Sequence, residues 1–142
     1  MRRHNLALCA LLLFAALAAP KPSSAQQDRW LHLGQSNLIQ VSTEAFVPAN
    51  SARPTVCSVR MQSVEPVEVQ QVTVHFTNHQ SQRIPVHMVL SGVGYSQSLN
   101  LPGIRRKVSG VSLVYTLPTP GATVPEVHLW GNELLGAKYC PR

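Results

Sequence analysis

The chain has 142 residues, one domain's worth, of which only 13% are charged and 6% aromatic. Twelve Lys and Arg stand against six Asp and Glu, a formal net charge of +6. Arg2, Arg3 and Lys21 lie in an N-terminal leader; without them nine cations face six anions, and the remaining +3 gives no argument for a nucleic-acid partner.

That leader has three parts. Arg2-Arg3-His4 is positive, Leu6 to Ala19 is apolar, and Ser23-Ser24-Ala25 supplies small residues before Gln26. This is the pattern of a cleaved secretory signal peptide. The apolar run is shorter than the ~20 residues of a spanning helix. Leu8 before Cys9 is not small, which argues against a lipoprotein. His4-Asn5 lacks the apolar follow-up of a twin-arginine signal. The expectation is a signal peptide over 1–25 and one domain over 26–142, periplasmic or secreted, with no transmembrane segment in the mature protein.

Period-two alternation dominates the rest. Trp30-Leu31-His32-Leu33-Gly34 predicts a short strand or turn anchored by Trp30 and Leu33, and Leu38 to Ser42 a second short strand. Glu44 to Thr55, with Pro48 and Pro54, reads as a surface loop. Cys57, Val59 and Met61 alternate with Ser58, Arg60 and Gln62 as a half-buried strand. Val67 and Val69 are in one phase and Val72, Val74 and Phe76 in the other, so a β-bulge is expected at Gln70-Gln71. A polar loop from Thr77 to Gln82 leads to Ile84, Val86, Met88 and Leu90, and Pro85 places that strand at an edge. Leu99 and Leu101, then Pro102-Gly103, then Val111, Leu113 and Tyr115 read as a hairpin. Leu117 to Gly121 is a loop, and Val127 and Leu129 alternate with His128 and Trp130 in a last strand.

Cys57 and Cys140 follow the leader. An even count in an oxidising compartment predicts a disulfide, where a metal pair would have closer ligand spacing. With about seven or eight short strands and no amphipathic helix, the fold class is all-β, a single antiparallel β-sandwich or jelly-roll-like domain.

Several runs occur in order: Trp30-x-x-Leu33-Gly34; Val72-Thr73-Val74-His75-Phe76 with Asn78; Leu101-Pro102-Gly103-x-x-Arg106-x-Val108-x-x-Val111-x-x-x-Tyr115; and Val127-His128-Leu129-Trp130-Gly131. Together they resemble a group of small secreted bacterial all-β proteins of unknown function. The resemblance implies secretion and fold. It implies no activity and carries over no catalytic residue.

Candidate chemistry is sparse. His75 and His79, with His87 and His128 further off, offer imidazoles for copper or zinc, although outward strand positions tolerate histidine without any ligand. Arg105-Arg106-Lys107 offers cations to an anionic glycan, phosphate or membrane surface; as a solvated loop it needs none. Trp30, Tyr95, Tyr115 and Trp130 are candidates for a sugar-stacking platform, with Trp130 the best placed for exposure. No nucleophile elbow, phosphate loop or thioredoxin-like cysteine spacing is present, and Glu65 and Glu68 are the only close carboxylates. The expectation is a non-enzymatic binding or interaction module of the cell envelope, with no cofactor and an envelope protein or glycan as partner. The alternatives are a periplasmic copper- or zinc-binding protein and a carbohydrate-binding β-sandwich.

Overall fold

Alternation along the chain becomes nine strands in the computed structural model, which describes residues 27–50, 55–92, 94–118 and 123–142. The leader 1–25 and its cleavage site lie outside the described residues, as does most of the Leu117–Gly121 loop. The strands are β1 (Trp30–Asn37), β2 (Glu44–Pro48), β3 (Thr55–Val56), β4 (Ser58–Ser63), β5 (Val67–Phe76), β6 (Ser81–Leu90), β7 (Leu99–Asn100), β8 (Arg106–Thr116) and β9 (Glu126–Asn132). No helix occurs among the described residues, so none is long and apolar enough to cross a membrane.

Two antiparallel sheets face each other. One has the order β1-β9-β4-β7; the other has β2-β8-β5-β6, with β3 also pairing along β8. The inward residues of both sheets form one core, including Leu33, Val59, Met61, Val127 and Leu129 from the first and Val47, Val69, Val74, Leu113 and Tyr115 from the second. This is a β-sandwich: each sheet buries one apolar face and wets the other.

The bulge between Val69 and Gln71 is present in the pairings of β5 with both neighbours, and it returns Val72, Val74 and Phe76 to the core. β6 is an edge strand, as Pro85 requires. Cys57 and Cys140 form a disulfide with Cα atoms 5.0 Å apart, closing 83 residues of separation and packing with Leu134 and Ala137 in a small second core.

Three expectations are corrected. Leu99–Leu101 and Val111–Tyr115 are not a hairpin. β7 pairs with Ser58 and Val59 of β4, while β8 lies in the opposite sheet. Alternation fixes which side chains turn inward, not which strand supplies the ladder partner. Pro102-Gly103 therefore begins a crossover between sheets, tied by the Cys140 N–H bonding the Gly103 carbonyl at 2.8 Å.

Leu38 to Ser42 is a turn rather than a strand. Leu38 is buried and donates its N–H to the Pro125 carbonyl, and the Ile39 carbonyl accepts from the Tyr115 hydroxyl at 2.7 Å. Conversely, the start of the expected Glu44–Thr55 loop is β2, because Pro48 ends a strand that pairs on one side only. Gly34 marks the corner where β1 passes β2: a Cβ there would run into the Pro48 carbonyl oxygen.

Candidate functional site

With Val59 and Met61 of β4 and Val127 and Leu129 of β9 turned inward, Arg60, Gln62, Glu126, His128 and Trp130 face out. Trp30 and His32 do the same from β1. The register aligns His32, Trp130 and Arg60 in one row across three strands. Tyr95 joins them from the segment before β7. Ser96 holds that segment to β4, its N–H bonding the Met61 carbonyl at 2.7 Å and its Oγ accepting from the Met61 N–H at 2.9 Å.

The outcome is a continuous strip of rings and cations. The Arg60 guanidinium carbon lies 4.0 Å from the Trp30 ring centre and 3.7 Å from that of Tyr95. Tyr95 meets Trp130 at 5.7 Å and 85°, and Trp130 meets His32 at 5.0 Å and 74°. Among the described residues no hydrogen bond or ion pair engages the Arg60 guanidinium. Its Nε and the Trp130 Nε1 are both buried without an acceptor. Buried N–H groups in folded proteins nearly always have one.

The strip ends in a chain of ring nitrogens. His32 Nε2 lies 2.9 Å from His128 Nδ1, and His128 Nε2 lies 2.7 Å from Glu126 Oε1. The carboxylate requires the proton on His128 Nε2, so Nδ1 accepts and His32 Nε2–H donates. Burial, and after it the neighbouring His128, hold the His32 imidazole below its ordinary value, while Glu126 acts in the opposite sense.

The other candidates are placed differently. Arg105 donates to the carbonyls of Ala137 at 2.8 Å and of Glu133, fastening the crossover to the C-terminal tail. Arg106 lies 3.7 Å over the Phe76 ring and donates to Gln82 Oε1, and Lys107 is exposed. Two of the three cations are thus taken up by their own chain, and Lys107 stands exposed. His75 and His79 border one shallow depression of about 400 Å³ beside Phe46 and Ser112, with His75 Nε2 2.7 Å from Ser112 Oγ. Among the described residues no group of three or more His, Cys, Asp or Glu side chains converges as a metal site. Tyr115 is 1% exposed and belongs to the core, so it leaves the aromatic set.

A family model for DUF2541, a domain of unknown function, matches residues 6–131. The chain belongs to the DUF2541 family. No curated protein and no solved structure matches it.

In this DUF2541 domain, reading residues in isolation missed His32 and Arg60. Both were legible as outward positions: Arg60 sits between inward Val59 and Met61, and His32 shares its parity with Trp30. What was missing was the order of the strands that brings β1 beside β9 and β9 beside β4.

Proposed function

We propose that this protein is an exported, non-enzymatic binding module of the cell envelope that takes its ligand on the outer face of the four-stranded sheet. Export rests on the leader pattern of residues 1–25, and the Cys57–Cys140 disulfide suits an oxidising compartment. The observation that carries the binding reading is the Arg60 guanidinium, held between two aromatic faces without a hydrogen-bond or ion-pair partner among the described residues. A guanidinium fixed in this way presents its remaining N–H edge to a planar anion, and the rings beside it stack on or edge against apolar surface.

The chemistry is that of an acidic glycan: a carboxylate for Arg60 and a sugar face for Trp130 and Tyr95. A flat platform for a neutral sugar fits less well, because Trp130 stands nearly perpendicular to Tyr95 and the Trp30 ring is covered by Arg60. Metal binding by His75 and His79 has the support of their shared depression and no more.

Thermal unfolding with oligo-uronate and with a matched neutral oligosaccharide tests the reading. Ligand at 100 times its dissociation constant adds about 2.7 kcal/mol, a shift of several degrees in a domain of this size. A shift with the uronate that disappears in Arg60→Ala is expected. Equal shifts with both sugars, a shift retained by Arg60→Ala, or no shift with either would contradict it.

A further inference from the structure

His32, His128 and Glu126 lie on the same face as the aromatic strip but play no part in holding Arg60. Their geometry points to a site for one divalent transition-metal ion. We propose that His32 Nε2 and His128 Nδ1 together bind Cu(II), with Glu126 as the residue that orients His128.

The two nitrogens are already 2.9 Å apart. Metal–imidazole bonds run about 2.0–2.1 Å, so two ligands at right angles around one ion have nitrogens about 2.9 Å apart, and two tetrahedral ligands about 3.3 Å apart. This spacing is that of the hydrogen bond itself, so to hold one ion both rings must turn their lone pairs about 45° off the N–N line; after that small turn the nitrogens stand as neighbouring corners of a tetragonal site, the arrangement preferred by Cu(II). Copper also stands highest among the first-row divalent ions in affinity for such ligands.

Glu126 supplies a second argument. It holds the proton on His128 Nε2 at 2.7 Å and so leaves Nδ1 as a lone pair directed at His32. A carboxylate behind a ligating imidazole is the usual outer support of metal sites. His32 needs only to move its proton from Nε2 to Nδ1 to present a second lone pair, and no proton is released. His32 is exposed, so solvent or ligand oxygens can complete the coordination. His75 lacks this arrangement, since its Nε2 meets a hydroxyl, that of Ser112, and not a second imidazole.

Titration of the purified, disulfide-bonded protein with Cu(II) alone, read by electron paramagnetic resonance, tests the site. One equivalent with an axial spectrum and coupling to two imidazole nitrogens is expected. His32→Ala should abolish that signal, Glu126→Gln should weaken binding 10–100-fold, and a His75→Ala, His79→Ala double variant should bind as the parent does. Zn(II) should bind more weakly than Cu(II). Absence of binding, coupling to one nitrogen or to more than two, Zn(II) binding as tight as Cu(II), or a signal retained by His32→Ala would each overturn the proposal. The nitrogen count is read on the unmodified protein, so it stands even where a variant folds poorly.

Discussion

The outer face of the four-stranded sheet and that of the five-stranded sheet arise from the same alternation and are finished differently. On the five-stranded face polar side chains pair across strands: His75 meets Ser112 at 2.7 Å, and Gln70 donates to Thr116. Its one aromatic residue, Phe46, lies over Gly110, where a Cβ would meet the ring. This face also carries a depression of about 370 Å³ bordered by Phe46, Thr73, His75 and Ser112. On the four-stranded face a cation stands between two rings, and two buried N–H groups, Arg60 Nε and Trp130 Nε1, have no acceptor among the described residues, while His32, His128 and Glu126 form a paired chain beside them. A hollow therefore distinguishes the faces less than unmet polar chemistry does. The depression beside Phe46 lies where His75 and Ser112 already bond each other.

The largest way to break the comparison is through the disulfide. Replacing Cys57 and Cys140 by Ala should lower stability by roughly 4–5 kcal/mol in the chain-entropy picture, read by denaturant unfolding. Hydrogen exchange should then quicken first around the Cys57 N–H to Asn132 carbonyl bond and Leu101, near the four-stranded face. The β5–β8 amides should hold. Uniform loosening of both sheets would show that the tail does not selectively support one face.

Gly110→Ala tests the other side. The new methyl displaces the Phe46 ring, at a cost of about 1–3 kcal/mol. In a Phe46→Ala background the part of that cost due to the ring should disappear, while the part due to the Val47 carbonyl oxygen, 2.8 Å from the new methyl, should remain. Glycan response on the four-stranded face should be untouched, as titration of the variant would check.

Arg60→Ala sharpens the contrast. The two ring contacts are worth about 1–2 kcal/mol, a modest effect on the unfolding midpoint, while the uronate response should vanish and tryptophan emission should change through Trp30. His75→Ala removes a bond of similar worth, about 1 kcal/mol, and should leave ligand response intact.

The smallest expected effect comes from alkali. Burial pushes the Tyr115 phenol above its ordinary 10.0. Above pH 10 the unfolded chain gives up this proton while the folded one keeps it, so folding stability is full below pH 10 and falls as pH rises beyond it. Tyr115→Phe should flatten that decline in unfolding midpoints measured from pH 9 to 11. An unchanged slope would place the alkaline loss elsewhere.

Much of the fold could be read from the chain. The Gln70 bulge, the edge position forced by Pro85 and the disulfide all follow from local chemistry: phase, a missing N–H, and an even cysteine count. Pairing could not be read. Nothing in Leu99 or Val111 says that their strands belong to opposite sheets, and Val47 in β2 was hidden between Glu44 and Pro48. The candidate site suffered for the same reason. Trp130 was legible as an outward aromatic, but its partners His32, Arg60 and Tyr95 are distant in sequence and meet only through strand order. Arg105, prominent as part of a basic run, proved to bind carbonyls of its own chain.

Amide and indole chemical-shift mapping during titration with an acidic oligosaccharide tests the role of the four-stranded face most directly. Shifts confined to Trp30, Arg60, Tyr95, Trp130 and their strand neighbours, with none at Phe46 or His75, are the expected result. Shifts centred on the Phe46–His75 depression or on Arg105–Lys107, or none at saturating sugar, would contradict it.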